Sequence, residues 1–167
     1  MSVPRWPGGG SPTARSLAPS APRDLDELPL GEHGVEPLGF EECSLRRKSQ
    51  AVRAFEEVPG ARDTFRLVHD TFHHHLAGEP QMFPERTGLA HISGVTDPTL
   101  AIADMRDAHR VLVDAGDRLG NLAQIRALRR GGYAGPFSFE PFAESVQKAP
   151  DIAAQLSASM RFIEAKA

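Results

Sequence analysis

Leu119-Gly-Asn-Leu-Ala-Gln-Ile-Arg-Ala-Leu-Arg-Arg130 runs through Gly131-Gly-Tyr-Ala-Gly135 into Pro136-Phe-Ser-Phe-Glu-Pro-Phe142. Leu119, Leu122, Ile125, Ala127 and Leu128 recur at helical spacing, with Arg126, Arg129 and Arg130 on the other side, and Gly131-Gly132 stops the helix. In the strand that follows, Phe137 and Phe139 point one way while Ser138 and Glu140 point the other. The aromatic pair suits a layer of helices. A carboxylate on the opposite face is costly to bury unless it is paired or bound to a cation.

Working outward, the same alternation of short apolar runs and helical patterns recurs. Gly34 to Phe40 reads as a short strand running into a loop. Residues 45–57 read as an amphipathic helix with Ser44 as its N-cap. Thr64 to Asp70 and Leu89 to Val95 are two more strands, and Asp151 to Ala165 is a final helix with Ile152, Leu156, Met160 and Ile163 on its apolar side. Strands alternating with helices indicate βα units and a parallel sheet. Residues 32–167 hold four such units in 136 residues, or 34 each. A closed barrel of eight units takes roughly 250 residues, so the length suits half a barrel; a small doubly wound sheet stays open on length alone.

Residues 1–31 are different in kind: six of the 14 prolines, four Gly and four Ser fall there, with no helical or strand period. Such a stretch is expected to be a disordered tail. An alternative expectation is a non-native start joined to an unrelated body. Among the 167 residues Cys43 is the sole cysteine, which excludes a disulfide framework and a Cys-based zinc site. A formal net charge of −3 lacks the basic excess of a nucleic-acid or membrane-surface binder. No apolar run approaches the roughly 20 residues of a membrane span, and Pro4, Pro7 and Gly8 to Gly10 interrupt any secretory h-region. A cytoplasmic protein is the expectation.

Each expected strand carries a metal-ligand type at or near its C-terminal end: Glu36, Asp70, His91 and Glu140. Sites in parallel α/β folds are built at that end. Any one of these could be a lone polar residue satisfied by a neighbouring loop; four in successive units point to a site. Three carboxylates and an imidazole suit one divalent ion, Mn, Co, Zn or Mg. In His69-Asp-Thr-Phe-His-His-His75 the three consecutive imidazoles cannot all face one site. The Asp70…His73 pair, at a strand-to-loop turn, is the part expected to act together, with His74 and His75 at the surface or packing a loop.

Several stretches together resemble a known family. These are Gly34-Val-Glu-Pro-Leu-Gly-Phe40, Leu67-Val-His-Asp-Thr-Phe-His73, Ala90-His-Ile-Ser-Gly-Val95, Arg110 with Ala115-Gly-Asp117, and Gly132-Tyr-Ala-Gly-Pro-Phe-Ser-Phe-Glu-Pro-Phe142. From about residue 34 onward the chain resembles the sugar isomerase/epimerase group of the xylose-isomerase-like TIM barrels, most of all the 2-keto-myo-inositol (inosose) isomerases of inositol catabolism. The resemblance implies the C-terminal half of a (βα)8 barrel. It implies a divalent metal held by Glu36, Asp70, His91 and Glu140, with Glu36 and Glu140 as the acid–base pair. His73 and Arg110 would bind substrate, a small polyol or ketose, and isomerisation would pass through an enediolate.

Two features depart from the family pattern. Val113-Asp-Ala-Gly-Asp117 replaces a Gly-rich turn, so an acid here would either repel an anionic intermediate or face solvent. Nothing in residues 1–31 resembles the first four βα units. A half-barrel has two open strand edges, would leave Val68 and Leu89 short of packing partners, and could pair as a homodimer that completes the barrel. Two other readings stand beside the enzyme: a truncated, catalytically silent half-barrel serving as an assembly module, and a metal-dependent AP endonuclease-like protein. The second would need more ligands and a basic groove.

Overall fold

The computed structural model describes residues 33–167; the expectations for residues 1–31 lie outside the described residues. Four parallel strands, β1 (His33–Val35), β2 (Phe65–Asp70), β3 (Thr87–Ile92) and β4 (Phe137–Phe139), form one sheet in chain order. Parallel neighbours require crossover connections. These run through α1 (Lys48–Glu57), α2 (Ala61–Thr64), α3 (Thr71–Ala77) and α4 (Asn121–Arg130), and α5 (Glu144–Gln147) and α6 (Ile152–Lys166) follow β4.

Period-two alternation divides the sheet into two chemically distinct faces. Val35 and Leu67 pack on Ala51 and Phe55 of α1, and Ala90 and Phe137 pack with Leu128 of α4 and Tyr133. A third cluster joins Phe72 and Leu76 of α3 to Val95, Met105 and Leu119. Fully burying a Leu or Phe such as Leu67, Phe72 or Leu128 contributes about 1.5–3 kcal/mol each. The face opposite the helices carries Asp70 and His91, which the β2–β3 register sets side by side, and the β3–β4 register places Ser138 beside His91.

Local details differ from the sequence expectations where a distant residue intervenes. The first helix starts at Lys48, and Ser44 does not cap it. The Gln50 side chain accepts the N–H groups of Arg46 and Arg47, while the Glu79 carboxylate, from a loop 30 residues on, accepts those of Lys48 and Ser49 at 3.0 Å each. Buried Glu79 thus supplies the negative charge that a helix N-terminus favours. The strand-to-loop turn expected after Asp70 is instead α3. Asp70 Oδ1 accepts Phe72 N–H at 2.8 Å and His73 N–H at 2.9 Å, so the residue that ends the strand also starts the helix. His74 and His75 are half-buried on that helix, and the His74 ring lies 4.9 Å from that of His69.

Of the two acids in the stretch from Val113 to Asp117, Asp114 is exposed to solvent, and the Asp117 carboxylate accepts Leu119 N–H and Asn121 N–H at the start of α4. Val68 does not lack partners. It is buried, and Gly34 makes room for it, since a Cβ there would stand 2.8 Å from Val68 Cγ2. The apolar side expected for the last helix is covered only in part: Leu156 and Ile163 are half-buried. Ile152 and Met160 are exposed, whereas Ser159 is buried and donates its hydroxyl to the Val113 carbonyl at 2.6 Å.

Candidate metal centre

Glu36 follows β1 directly, Asp70 ends β2, His91 is the penultimate residue of β3, and Glu140 follows β4 directly. Parallel pairing brings these C-terminal ends together. The Glu140 N–H donates to the Ile92 carbonyl at 2.9 Å, which carries the β3–β4 pairing one step past the strand and sets Glu140 beside His91. One ligand atom from each of the four residues lies within 4.8 Å of the other three. His91 Nδ1 sits between the glutamates, 3.3 Å from Glu36 Oε1 and 3.3 Å from Glu140 Oε2. Its hydrogen bond to Glu36 holds the imidazole above its ordinary pKa against the effect of burial, and the Glu140 charge adds to it. Burial raises the Glu140 carboxyl, against the opposing pull of His91 and Arg110.

The donor set fits a divalent ion. Ligand atoms about 2.1 Å from one cation stand about 3.0–4.2 Å apart, and the contacts of His91 with Glu36 and Glu140, 3.3 Å each, fall in that range. Three carboxylate oxygens and one imidazole nitrogen suit a hard or borderline ion and leave coordination positions for a substrate.

His73 and Arg110 sit differently from each other. His73 is buried, its ring edge-on to Phe40 at 5.2 Å and Phe72 at 5.3 Å, and its Nδ1 has no hydrogen-bond partner among the described residues. Burial and then the Arg110 charge hold its pKa below the ordinary value. Gly39, at φ +68°, carries the β1–α1 loop across it; a Cβ there would meet the His73 carbonyl oxygen at 2.3 Å. Arg110 is 1% exposed and lies behind the carboxylates. Its Nη2 donates to Asp70 Oδ2 at 2.5 Å and to Glu140 Oε2 at 2.8 Å, its Nη1 to Asp107 Oδ1 at 3.1 Å, and its Nε to Ser93 Oγ at 2.9 Å.

Two groups of residues around the site escaped the sequence reading. Ser93 and Asp107 hold Arg110; Ser93 was legible as the residue two positions after His91, and Asp107 as the acid three before the arginine. Behind Asp70, on the helix side, His69 accepts from Lys48 Nζ through Nδ1 at 2.8 Å and donates through Nε2 to Gln124 Oε1 at 2.9 Å. No local pattern signals that triad, because its members come from three different elements. Phe40, which meets His73, also lines a cavity of about 290 Å³ with Arg46, Leu76, Met105 and Arg106; none of the four cluster residues lines it.

Among the described residues no helix is long and apolar enough to cross a membrane. No protein of curated function matches the chain. Two solved structures are similar. A xylose isomerase domain containing protein from Salmonella typhimurium LT2 is 32% identical with a TM-score of 0.72, over 78% of this chain and 50% of that one. A xylose isomerase domain protein from Alicyclobacillus acidocaldarius subsp. acidocaldarius is 25% identical with a TM-score of 0.60, over 78% of this chain and 49% of that one. The chain therefore spans about half the length of the structures it matches, and its four-stranded sheet is part of a TIM barrel. A family model described as xylose isomerase-like TIM barrel matches residues 31–166, four-fifths of the chain, which thus belongs to the xylose isomerase-like TIM barrel family.

Proposed function

We propose that this chain carries the metal and proton-transfer residues of a sugar isomerase or epimerase of the 2-keto-myo-inositol (inosose) isomerase type. The observation that supports it is the convergence of Glu36, Asp70, His91 and Glu140 within 4.8 Å at the C-terminal ends of four adjacent parallel strands. A divalent ion held there, Mn, Co, Zn or Mg, supplies Lewis-acid polarisation of a carbonyl.

Glu36 and Glu140 come from the two outer strands of the sheet and flank His91. A ketose or inosose lying between them has its α-carbon proton within reach of one carboxylate. That C–H bond breaks, the proton passes to the carboxylate, and the electron pair enters the C=C bond of the sugar enediolate. The other glutamate, protonated at the start of the turnover, gives its proton to carbon; the carbonyl re-forms as the hydroxyl proton moves between the two enediolate oxygens, and the first glutamate passes its proton to solvent. By the resemblance His73, whose buried Nδ1 has no hydrogen-bond partner among the described residues, would take a substrate hydroxyl, and the Arg110 charge adds positive potential where the enediolate becomes negative.

The test is solvent deuterium exchange at the carbon beside the carbonyl, followed by proton NMR on 2-keto-myo-inositol and on ketohexoses with Mn²⁺-loaded protein. Exchange that needs the ion and falls away with chelator is the expected result. About one tightly held Mn²⁺ per chain with no exchange on any of these ketones would favour the catalytically silent half-barrel instead.

A partner completes this reading. Among the described residues β1 and β4 each have one strand neighbour, and Phe65 of β2, Ile152 and Met160 of α6 and Phe142 are exposed. Both open edges are parallel, so two copies related by a two-fold along the barrel axis could pair β4 of each with β1 of the other. That arrangement would close eight strands and cover part of the exposed apolar surface. Light scattering behind size exclusion should give twice the 18.1 kDa chain mass; a monodisperse monomer would sink the pairing.

A further inference from the structure

We infer that Arg110 is a positioning residue of the metal centre: it braces Asp70 and Glu140 into ligand geometry, and the bound sugar is not its target. The inference rests on the metal-site reading above and concerns a residue outside the four ligands. Asp70 ends β2 and Glu140 follows β4, so the two carboxylates belong to strands that do not touch each other. One guanidinium nitrogen, Nη2, contacts both, and so spans β3.

The guanidinium is itself held on every side. Its Nε donates to Ser93 Oγ and its Nη1 to Asp107 Oδ1. Its Cζ lies over two aromatic rings, 5.1 Å from the Phe72 centroid and 4.8 Å from that of Phe142. The backbone is tied down as well. The Arg110 carbonyl accepts Phe142 N–H at 3.0 Å and Ala143 N–H at 2.8 Å, and the neighbouring Val111 pairs with Gly94 in an antiparallel bridge. Arg110 thus fixes both the Glu140 side chain and the segment just after it.

Two consequences follow for ligand binding. Four of the five guanidinium N–H groups already have protein acceptors, and the side chain is 1% exposed, so almost no donor remains for a sugar hydroxyl. The three carboxylates of the cluster and Asp107 share one guanidinium, a net negative charge that a divalent cation complements. A lysine at this position would keep the charge and lose the planar fork that reaches four acceptors at once.

The experiment is titration of the full chain with Mn²⁺ alone, by calorimetry and by the electron paramagnetic resonance of the bound ion, for wild type, Arg110→Lys and Ser93→Ala. Outer-shell partners of metal ligands typically change affinity by about 10–100-fold. Arg110→Lys is expected to weaken Mn²⁺ binding by that factor and to broaden the six-line spectrum. Ser93→Ala, which removes only the Nε acceptor, should shift both in the same direction by a few-fold, and it keeps the inference testable should the lysine variant fail to fold. Wild-type affinity and line shape in both variants, with only the Michaelis constant for a ketose raised, would overturn the positioning role and leave the metal site intact. Absence of Mn²⁺ binding by the wild type would overturn the metal-site reading itself, and the positioning role with it.

Discussion

Replacing Glu140 with Gln is expected to lower exchange of the α-carbon proton by roughly 10²–10⁴-fold, the contribution typical of a positioned general acid–base group, and to weaken Mn²⁺ binding at the same time. The substitution keeps side-chain shape and leaves the Glu140 N–H bond to the Ile92 carbonyl untouched. The side chain is 30% exposed, so no buried core is opened by the change. What it removes is the negative charge shared among the cation site, His91 at 3.3 Å and Arg110 at 2.8 Å. Glu36→Gln should behave similarly, because the two glutamates flank the same imidazole. Thermal unfolding of both variants should stay close to wild type. If Glu140→Gln exchanges deuterium within a few-fold of wild type at saturating Mn²⁺, Glu140 carries no proton and the acid–base assignment is wrong.

Acidification from pH 6.5 to 4.5 is expected to lower folding stability through two imidazoles that the fold keeps from taking up a proton. The source is the polar cluster behind the sheet. His69 is fully buried, and its ring is committed to one neutral tautomer: Nδ1 accepts from Lys48 and Nε2 donates to Gln124. Gln124 is locked in turn, since its amide donates to the carbonyls of Thr71 and Leu119. Burial, then the Lys48 charge, pushes His69 well below the ordinary histidine range, and the same causes in the same order push His74 down to about 3. Both groups have a native pKa below the unfolded value of about 6.5. The unfolded chain therefore takes up protons that the native one refuses. Their stabilisation is fully present above pH 6.5 and is lost as pH falls toward the native values, by up to about 1.4 kcal/mol per group per pH unit.

Lys48 has its own window at higher pH. Burial lowers it to about 7, against the raising effect of Glu79. Between that value and about 10.4 the unfolded lysine is protonated and the native one is not, so stability should rise with pH across this range. Urea midpoints measured from pH 4.5 to 9 should climb in two stages. His74→Gln should flatten the acid limb, and Lys48→Met the alkaline limb. Midpoints that do not change between pH 4.5 and 6.5 would mean that these imidazoles are not held neutral in the folded protein.

The parts of the molecule legible in the sequence are those whose cause is local. Phe137 packs on the helix layer and Glu140 lies on the other side because a strand alternates every residue, and α4 ends at Gly131. The same alternation, with the rule that parallel strands present their C-terminal ends together, selected Glu36, Asp70, His91 and Glu140, and the structure brings these four to one place. The features that escaped depend on residues far apart in the chain. Glu79 displaces Ser44 as the cap of α1 from 30 or more positions away. Arg110 meets Asp70 across 40 positions and Glu140 across 30, and His69 meets Gln124 across 55.

The stripe of α6 shows the limit from the other side. Ile152 and Met160 have helical spacing and apolar character, yet the structure leaves them exposed and buries Ser159. Periodicity states which residues share a face of a helix; only the layer packed against it decides whether that face is covered. By itself, then, the sequence determined the α/β architecture, the parallel order of its units and the four residues at the strand ends, because backbone geometry repeats every two or 3.6 residues. Tertiary structure alone decided that Arg110 turns inward to the carboxylates, that His69 is buried behind them between Lys48 and Gln124, and which apolar surface remains open, because each depends on neighbours that no local pattern names.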